Sequence, residues 1–150
     1  MINLVEINRK NYYPFMDMKV YEHQRDQVAS NAISMVQGNY HEEAWFRGIC
    51  FEETPVGFIM LSLQHEKKEY WIWRFMVAKE HQGKGYGKAA IQKAVEFFMT
   101  IPDAEEVKLS FVPKEKGGAK GFYEKLGFQE TGKVDEKSGE VEMSRKLVRK

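Results

Sequence analysis

Tyr70-Trp71-Ile72-Trp73-Arg74-Phe75-Met76-Val77 is an apolar run, and Gln82-Gly83-Lys84-Gly85-Tyr86-Gly87-Lys88 follows it after a short charged connector. The run is rich in aromatic and β-branched residues and too short for a typical helix, so it reads as a strand. Beyond Gly87, Ile91, Val95 and Phe98 recur at i, i+4 and i+7, with Ala90, Ala94 and Phe97 beside them. That spacing predicts one apolar face of an α-helix. The stretch from Tyr70 to Met99 is thus strand, glycine-rich turn, helix.

Three glycines at alternate positions before a helix suit a particular chemistry. The first amides of a helix have no intrahelical partner, and the macrodipole makes that end positive. Without Cβ atoms the backbone can approach a ligand closely. Together these features form an anion cradle for a phosphate or pyrophosphate, with Lys84 and Lys88 adding charge. The same glycines would also serve as a flexible turn that caps the two elements. A Walker A loop needs Gly-Lys-Ser/Thr after four intervening residues, but five positions after Gly83 stands Lys88, and the dinucleotide pattern G-x-G-x-x-G would need glycine at position 88; neither fits. What remains is Q-x-x-G-x-G, made of Gln82, Gly85 and Gly87. It resembles the pyrophosphate-binding signature of the GNAT superfamily, the acetyl-CoA-dependent N-acetyltransferases.

The remaining chain is compatible with one domain over residues 1–150. The 43% apolar and 30% charged composition is ordinary for a globular protein. A net charge of +1 implies no global attraction to nucleic acid or to an anionic membrane. No apolar run approaches membrane-span length, and Met1-Ile2-Asn3-Leu4-Val5-Glu6 lacks the basic and apolar regions of a secretion signal. The single cysteine, Cys50, excludes an internal disulfide and agrees with a cytoplasmic location.

In chain order, Ile2 to Ile7 reads as a first strand. Asn11 caps a predicted helix over Tyr12 to Tyr21, with Phe15 and Met18 inward. A second helix is predicted over Gln24 to Gln37, with Val28, Ala32, Met35 and Val36 inward and Gly38-Asn39 ending it. Trp45 to Glu52 and Val56 to Gln64 form an antiparallel hairpin around Glu53-Thr54-Pro55. After the strand and helix already described, Val107 to Val112 is a fifth strand and Ala119 to Leu126 a short helix stopped by Gly127. Phe128 to Val134 and Glu140 to Leu147 are the last strands, joined by Lys137-Ser138-Gly139. The helix between strands four and five predicts a parallel crossover in a mixed sheet.

A second motif, Phe122-Tyr123-Glu124-Lys125-Leu126-Gly127-Phe128, closely resembles the "LYEKLGF" signature late in GNAT chains. The two motifs stand in the family's order with one strand between them. The resemblance implies an α/β (α+β) fold of the acyl-CoA N-acyltransferase type. Its mixed, mostly antiparallel seven-stranded sheet carries about four helices, and strands four and five splay apart near a bulge in the fourth. Acetyl-CoA would enter that wedge, with its pantetheine arm on the backbone of Phe75, Met76 and Val77. Its pyrophosphate would lie on the amides of about Gly83 to Lys88, including Tyr86. Tyr123 would sit by the thioester sulfur as general acid. Many family members carry Asn seven residues before that tyrosine to contact the cofactor; this chain has Lys116, followed by Gly117-Gly118, and Lys116 would meet a phosphate of the cofactor or stay solvated.

Val20 to Ser34, with the strand-four region, is similar to bacterial spermine/spermidine (diamine) N-acetyltransferases. That implies acetyl transfer to a primary amine of a polyamine, by direct attack in a ternary complex. Acidic residues that this subgroup often has on strand four are here Ile72 and Trp73, followed by Arg74. Other carboxylates at the border of the acceptor site would be Glu22, Asp26, Glu42, Glu43, Glu52, Glu66 or Glu69. Glu22, with His23 and Gln24, is the candidate acceptor-side cluster, and His23 is the histidine best placed to act as a base or else to serve a plain polar role; Trp45, Trp71 and Trp73 are core aromatics, one of which would line the acceptor tunnel. Other amines (an aminoglycoside, a peptide N-terminus, a lysine) or a non-catalytic acyl-CoA-binding module are the alternatives. His41, His65 and His81 show no metal-ligand spacing and no metal is expected. Cys50 reads as a small core residue, and Ser110 has no G-x-S-x-G elbow. An edge strand near the C-terminus would support a homodimer.

Overall fold

The computed structural model describes residues 1–25, 29–114 and 118–149. The seven strands are β1 (Ile2–Val5), β2 (Ala44–Phe51), β3 (Thr54–Gln64), β4 (Glu69–Val77), β5 (Glu106–Phe111), β6 (Gln129–Val134) and β7 (Val141–Lys146). They form one sheet in the order β1-β2-β3-β4-β5-β7-β6. Only the β4–β5 neighbours run parallel; the other pairs are antiparallel. The helices are α1 (Tyr12–Asp17), α2 (Asn31–Tyr40), α3 (Tyr86–Met99) and α4 (Lys120–Lys125).

The strand–turn–helix unit forms as its periodicities dictate. Ala90, Ile91, Ala94, Val95 and Phe98 are the buried residues of α3, and they pack with Ile59, Leu61, Tyr70 and Ile72 on one face of the sheet. Full burial of a ring such as Phe98 contributes roughly 1.5–3 kcal/mol. The opposite face buries Phe58, Met60 and Met76 beneath Met18, Val20, Met35, Phe46 and Trp73.

Between these layers β4 carries a bulge. Its partners on β3 step from Met60↔Arg74 to Leu61↔Ile72, which leaves Trp73 as the extra residue. A bulge interrupts strict alternation. Ile72 and Phe75, three positions apart, therefore both pack on the α3 side, whereas Trp73 and Met76 pack on the other. On its other edge β4 meets β5 at a single residue pair among the described residues, Trp71↔Lys108. Past that point the two strands separate, as the resemblance implied.

The N-terminal region departs from expectation. The first strand stops at Val5 and α1 at Asp17. Asn11 stands at the α1 N-cap without capping it, because its side chain turns backward to Glu6 O (3.0 Å) and accepts from Asn8 N (2.7 Å). The single helix predicted over Gln24 to Gln37 is instead a 3-10 turn at Glu22–Gln24 and a separate helix α2. The α2 start is set by Ser30, whose hydroxyl accepts from Ile33 N at 3.2 Å. Its buried face is polar, Asn31 and Ser34, while Val36 is exposed; Val28 lies outside the described residues. Gly38 and Asn39 do not end it. Gly38 sits inside the helix where a Cβ would lie 2.5 Å from the Phe46 ring, so glycine permits α2 to rest close on β2. The β2–β3 turn is tighter than expected, Glu52-Glu53, with Glu52 at φ 54.

Candidate active site

The separation of β4 and β5 opens a cleft of about 1020 Å³. One wall is β4 from Ile72 to Val77; the other includes Leu109, Ser110 and Phe111 of β5 with Phe122 and Tyr123 of α4. Its far end is the glycine turn and the start of α3: Gln82, Gly83, Gly85, Tyr86, Gly87 and Lys88.

That turn is built as an open cradle. Gly83 and Gly85 adopt φ +79° and +82°, the left-handed region that favours glycine. Among the described residues a Cβ at either position would meet nothing within 4 Å, so none of their atoms fills this space. Among the described residues, no backbone carbonyl accepts from the amides of Gly83 to Lys88. Orphan donors at the N-terminus of a 14-residue helix suit a diphosphate. Gly87 has a second role, since its Cβ would lie 3.3 Å from both the Phe75 and Phe122 rings, which stack with centroids 6.1 Å apart.

Gln82 shapes this turn. Its side-chain nitrogen donates to Val77 O (2.9 Å) and to Gln24 Oε1 (2.9 Å), and its Oε1 accepts from Gln24 Nε2 (3.2 Å). Lys84 is exposed and is absent from the cleft wall, whereas Lys88 borders it. Lys116 lies outside the described residues.

Tyr123 lines the cleft between Phe122 and Phe128, with edge-on ring contacts at 5.2 and 5.9 Å. Burial among these rings pushes its phenol up to about 12, so the neutral, proton-bearing form persists through neutral pH.

A second cavity of about 360 Å³ adjoins the first. The two share Ile72, Trp73, Arg74, Ser110 and Glu140. His41, Glu43 and Trp71 also line the smaller one. Burial lowers the pKa of the Arg74 guanidinium, and the charge of Glu140 opposes that effect. Arg74 is held by Trp73 O (3.2 Å) and Gln37 Oε1 (3.5 Å).

Of the residues singled out from sequence, Phe75, Met76, Val77, Gln82, Gly83, Gly85, Tyr86, Gly87, Lys88, Tyr123, Gln24 and Trp73 come together on the larger cleft. Glu22 and His23 line neither cavity: both are exposed, and the His23 ring stacks on Tyr21 at 5.7 Å. Of the other carboxylates proposed, Glu43 alone among the described residues lines the smaller cavity, while Glu52 pairs with the N-terminal amine at 2.7 Å. Sequence reading passed over His81, Arg74, Ser110 and Glu140 as lining residues. The Trp73 bulge, which turns adjacent β4 residues toward different spaces, is the signal that would have found Arg74. Cys50 is buried in β2, where burial raises its thiol pKa, in keeping with a core role. Among the described residues no group of His, Cys, Asp and Glu could hold a metal ion, and no helix is long and apolar enough to cross a membrane.

Comparison with known proteins agrees with this fold. The chain is 25% identical over 143 residues to a probable spermine N(1)-acetyltransferase of Bacillus subtilis subsp. natto, covering 89% of this chain and 91% of that one. Its fold matches that of spermidine N-acetyltransferase from Vibrio cholerae in complex with CoA and spermine, with TM-score 0.77 and 17% identity over 97% of this chain and 95% of that one. An aminoglycoside acetyltransferase in complex with coenzyme A matches with the same TM-score, 0.77, and the same identity, 17%, over the same shares, 97% and 95%. The fold is therefore common to enzymes named for different acceptors. The acetyltransferase (GNAT) family model matches residues 3–128, and the chain belongs to this family as an acetyl-CoA-dependent N-acetyltransferase.

Proposed function

We propose that residues 1–150 act as one domain that transfers acetyl from acetyl-CoA to a primary amine of a polyamine such as spermidine or spermine, by direct attack in a ternary complex. The observation that carries this reading is the wall shared by the two cavities at the β4 bulge. It brings a cleft suited to a long nucleotide thioester beside a smaller space suited to an amine.

Gly83 to Lys88 would hold the diphosphate, and the free edge of Phe75 to Val77 would pair with the pantetheine amides. A backbone N–H on that edge would polarise the thioester carbonyl. Tyr123, protonated and lining the cleft, would donate to the departing sulfur. In the smaller cavity Glu43 and Glu140 supply negative charge for a cation. Together with the name of the Bacillus relative, these features support a polyamine.

The test is thiol release from acetyl-CoA by the purified chain across polyamines, aminoglycosides, amino acids and peptides. Turnover led by spermidine or spermine supports the reading, and absence of turnover with every amine overturns it. A second reading rests on Arg74, a cation in the acceptor cavity, which favours an amine that also bears a carboxylate. It would be marked by turnover with amino acids or peptides but not with polyamines.

A further inference from the structure

We propose that His41, oriented by Glu43, is the group that takes the proton from the acceptor's ammonium. This inference rests on the reading above that the chain acetylates an amine.

An alkylammonium has no lone pair, and at neutral pH most alkylamines are in that form. The acceptor cavity therefore needs a proton acceptor, and His41 lines it. Its ring nitrogen Nδ1 lies 3.2 Å from Glu43 Oε1. With Glu43 ionised, Nδ1–H donates to the carboxylate, and the lone pair of Nε2 is left to accept a proton. The His41 ring meets the Trp73 indole edge-on at 5.4 Å and 90°, on the bulge where the two cavities meet, with its side chain 47% exposed and so open to solvent for proton release.

The backbone holds this pair in place. His41 N donates to Gln37 O at the end of α2 (3.1 Å), and His41 O accepts from Ala44 N at the start of β2 (3.1 Å). Glu43 O accepts from Leu63 N of β3 (2.8 Å). The dyad thus sits on a pinned turn between two elements. The other charged groups facing this space are Arg74 from β4 and Glu140 from the turn before β7. Arg74 cannot accept a proton, and the charge of Glu140 acts on Arg74.

The step balances as follows. The ammonium gives one proton to His41 Nε2, directly or across one water. The freed nitrogen lone pair forms the C–N bond to the acetyl carbonyl carbon. The C–S bond breaks, and its electron pair leaves on sulfur. A second proton from that nitrogen reaches the sulfur through Tyr123, which gives one proton and regains one. The products are amide, thiol and a protonated His41, which returns its proton to solvent.

The experiment uses the full chain with acetyl-CoA and the amine it acetylates fastest. His41→Gln is expected to lower kcat by about 100-fold while the KM for acetyl-CoA stays within about twofold. His41→Gly is expected to regain turnover when imidazole is added to the buffer, in a saturable way that a structural role would not produce. Glu43→Gln, which keeps the shape of the side chain, should give a smaller loss than His41→Gln. Should His41→Gly not fold, the His41→Gln measurement decides alone. A His41→Gln kcat within about threefold of wild type, or a folded His41→Gly that imidazole leaves unchanged, overturns the assignment. Wild-type protein inactive with every amine would instead overturn the function on which it rests.

Discussion

Gln24 and Gln82 exchange hydrogen bonds through their side-chain amides, Nε2 to Oε1 in both directions, at 3.2 and 2.9 Å. Gln82 also donates to Val77 O, so one amide ties the 3-10 turn at Glu22–Gln24, the end of β4 and the entry to the glycine turn together. The glutamine of the Q-x-x-G-x-G motif therefore holds the shape of the turn. Gln82→Ala is expected to weaken acetyl-CoA binding about 5- to 10-fold, the equivalent of roughly one to two net hydrogen bonds. Gln24→Ala, which leaves the bond to Val77 intact, should weaken it less. Calorimetric titration of acetyl-CoA checks both, and turnover at saturating cofactor should change little in either variant.

Burial holds the Tyr123 proton more firmly than that of a tyrosine in water. A phenol pushed up to about 12 donates a hydrogen bond to a departing sulfur without ionising beforehand. Tyr123→Phe keeps the ring packing against Phe122 and Phe128 and removes only the hydroxyl. Turnover is expected to fall about 100-fold with acetyl-CoA affinity nearly unchanged. The same shift gives a stability signature. The folded state holds this proton more tightly than the unfolded chain, whose tyrosines titrate near about 10. The associated stability is complete below about pH 10 and is lost as pH rises through about 12. Between those limits the thermal midpoint of wild type should fall more steeply than that of Tyr123→Phe.

Sequence patterning was most legible where apolar periodicity controls the structure. Ile91, Val95 and Phe98 predicted the buried face of α3, and the run from Tyr70 to Val77 predicted β4. The pattern failed at α2 because that helix buries polar side chains. Asn31 is 2% exposed and donates to Phe15 O at 2.8 Å, a long-range bond that no local spacing encodes. The glycine turn proposed to hold the diphosphate is contiguous in sequence, so its residues stand out as a motif. The smaller cavity draws on residues from His41 to Glu140, brought together by a register shift at Trp73. For that reason Glu22 and His23 looked plausible as acceptor residues in sequence, while His41 appeared isolated.

The cradle itself admits a direct test at Gly85. Its positive φ makes any side chain strained by about 1–2 kcal/mol, but no described residue lies within 4 Å of its Cβ, so none of them adds a packing clash. Gly85→Glu should therefore remain folded, with a modest drop in thermal midpoint. Bulk and like charge against a diphosphate should abolish acetyl-CoA binding. Circular dichroism and calorimetric titration together check the outcome; retained affinity would mean that the diphosphate rests elsewhere.

Gly87 faces the opposite constraint, since its φ is not positive but its surroundings are full. A Cβ there would sit 3.3 Å from both the Phe75 and Phe122 rings, tighter than ordinary van der Waals contact. Gly87→Val should overpack this junction and destabilise the fold by about 1–3 kcal/mol, as read from denaturant unfolding. The strain passes to Phe122, the residue before Tyr123, so turnover should fall together with stability. Phe122→Ala removes one of the two rings. Combined with Gly87→Val, it should restore part of the lost stability, because the two sites share the same space and their effects cannot be additive. Strict additivity in that double-mutant cycle would show that the valine is accommodated elsewhere, and that Gly87 serves only the approach of the ligand.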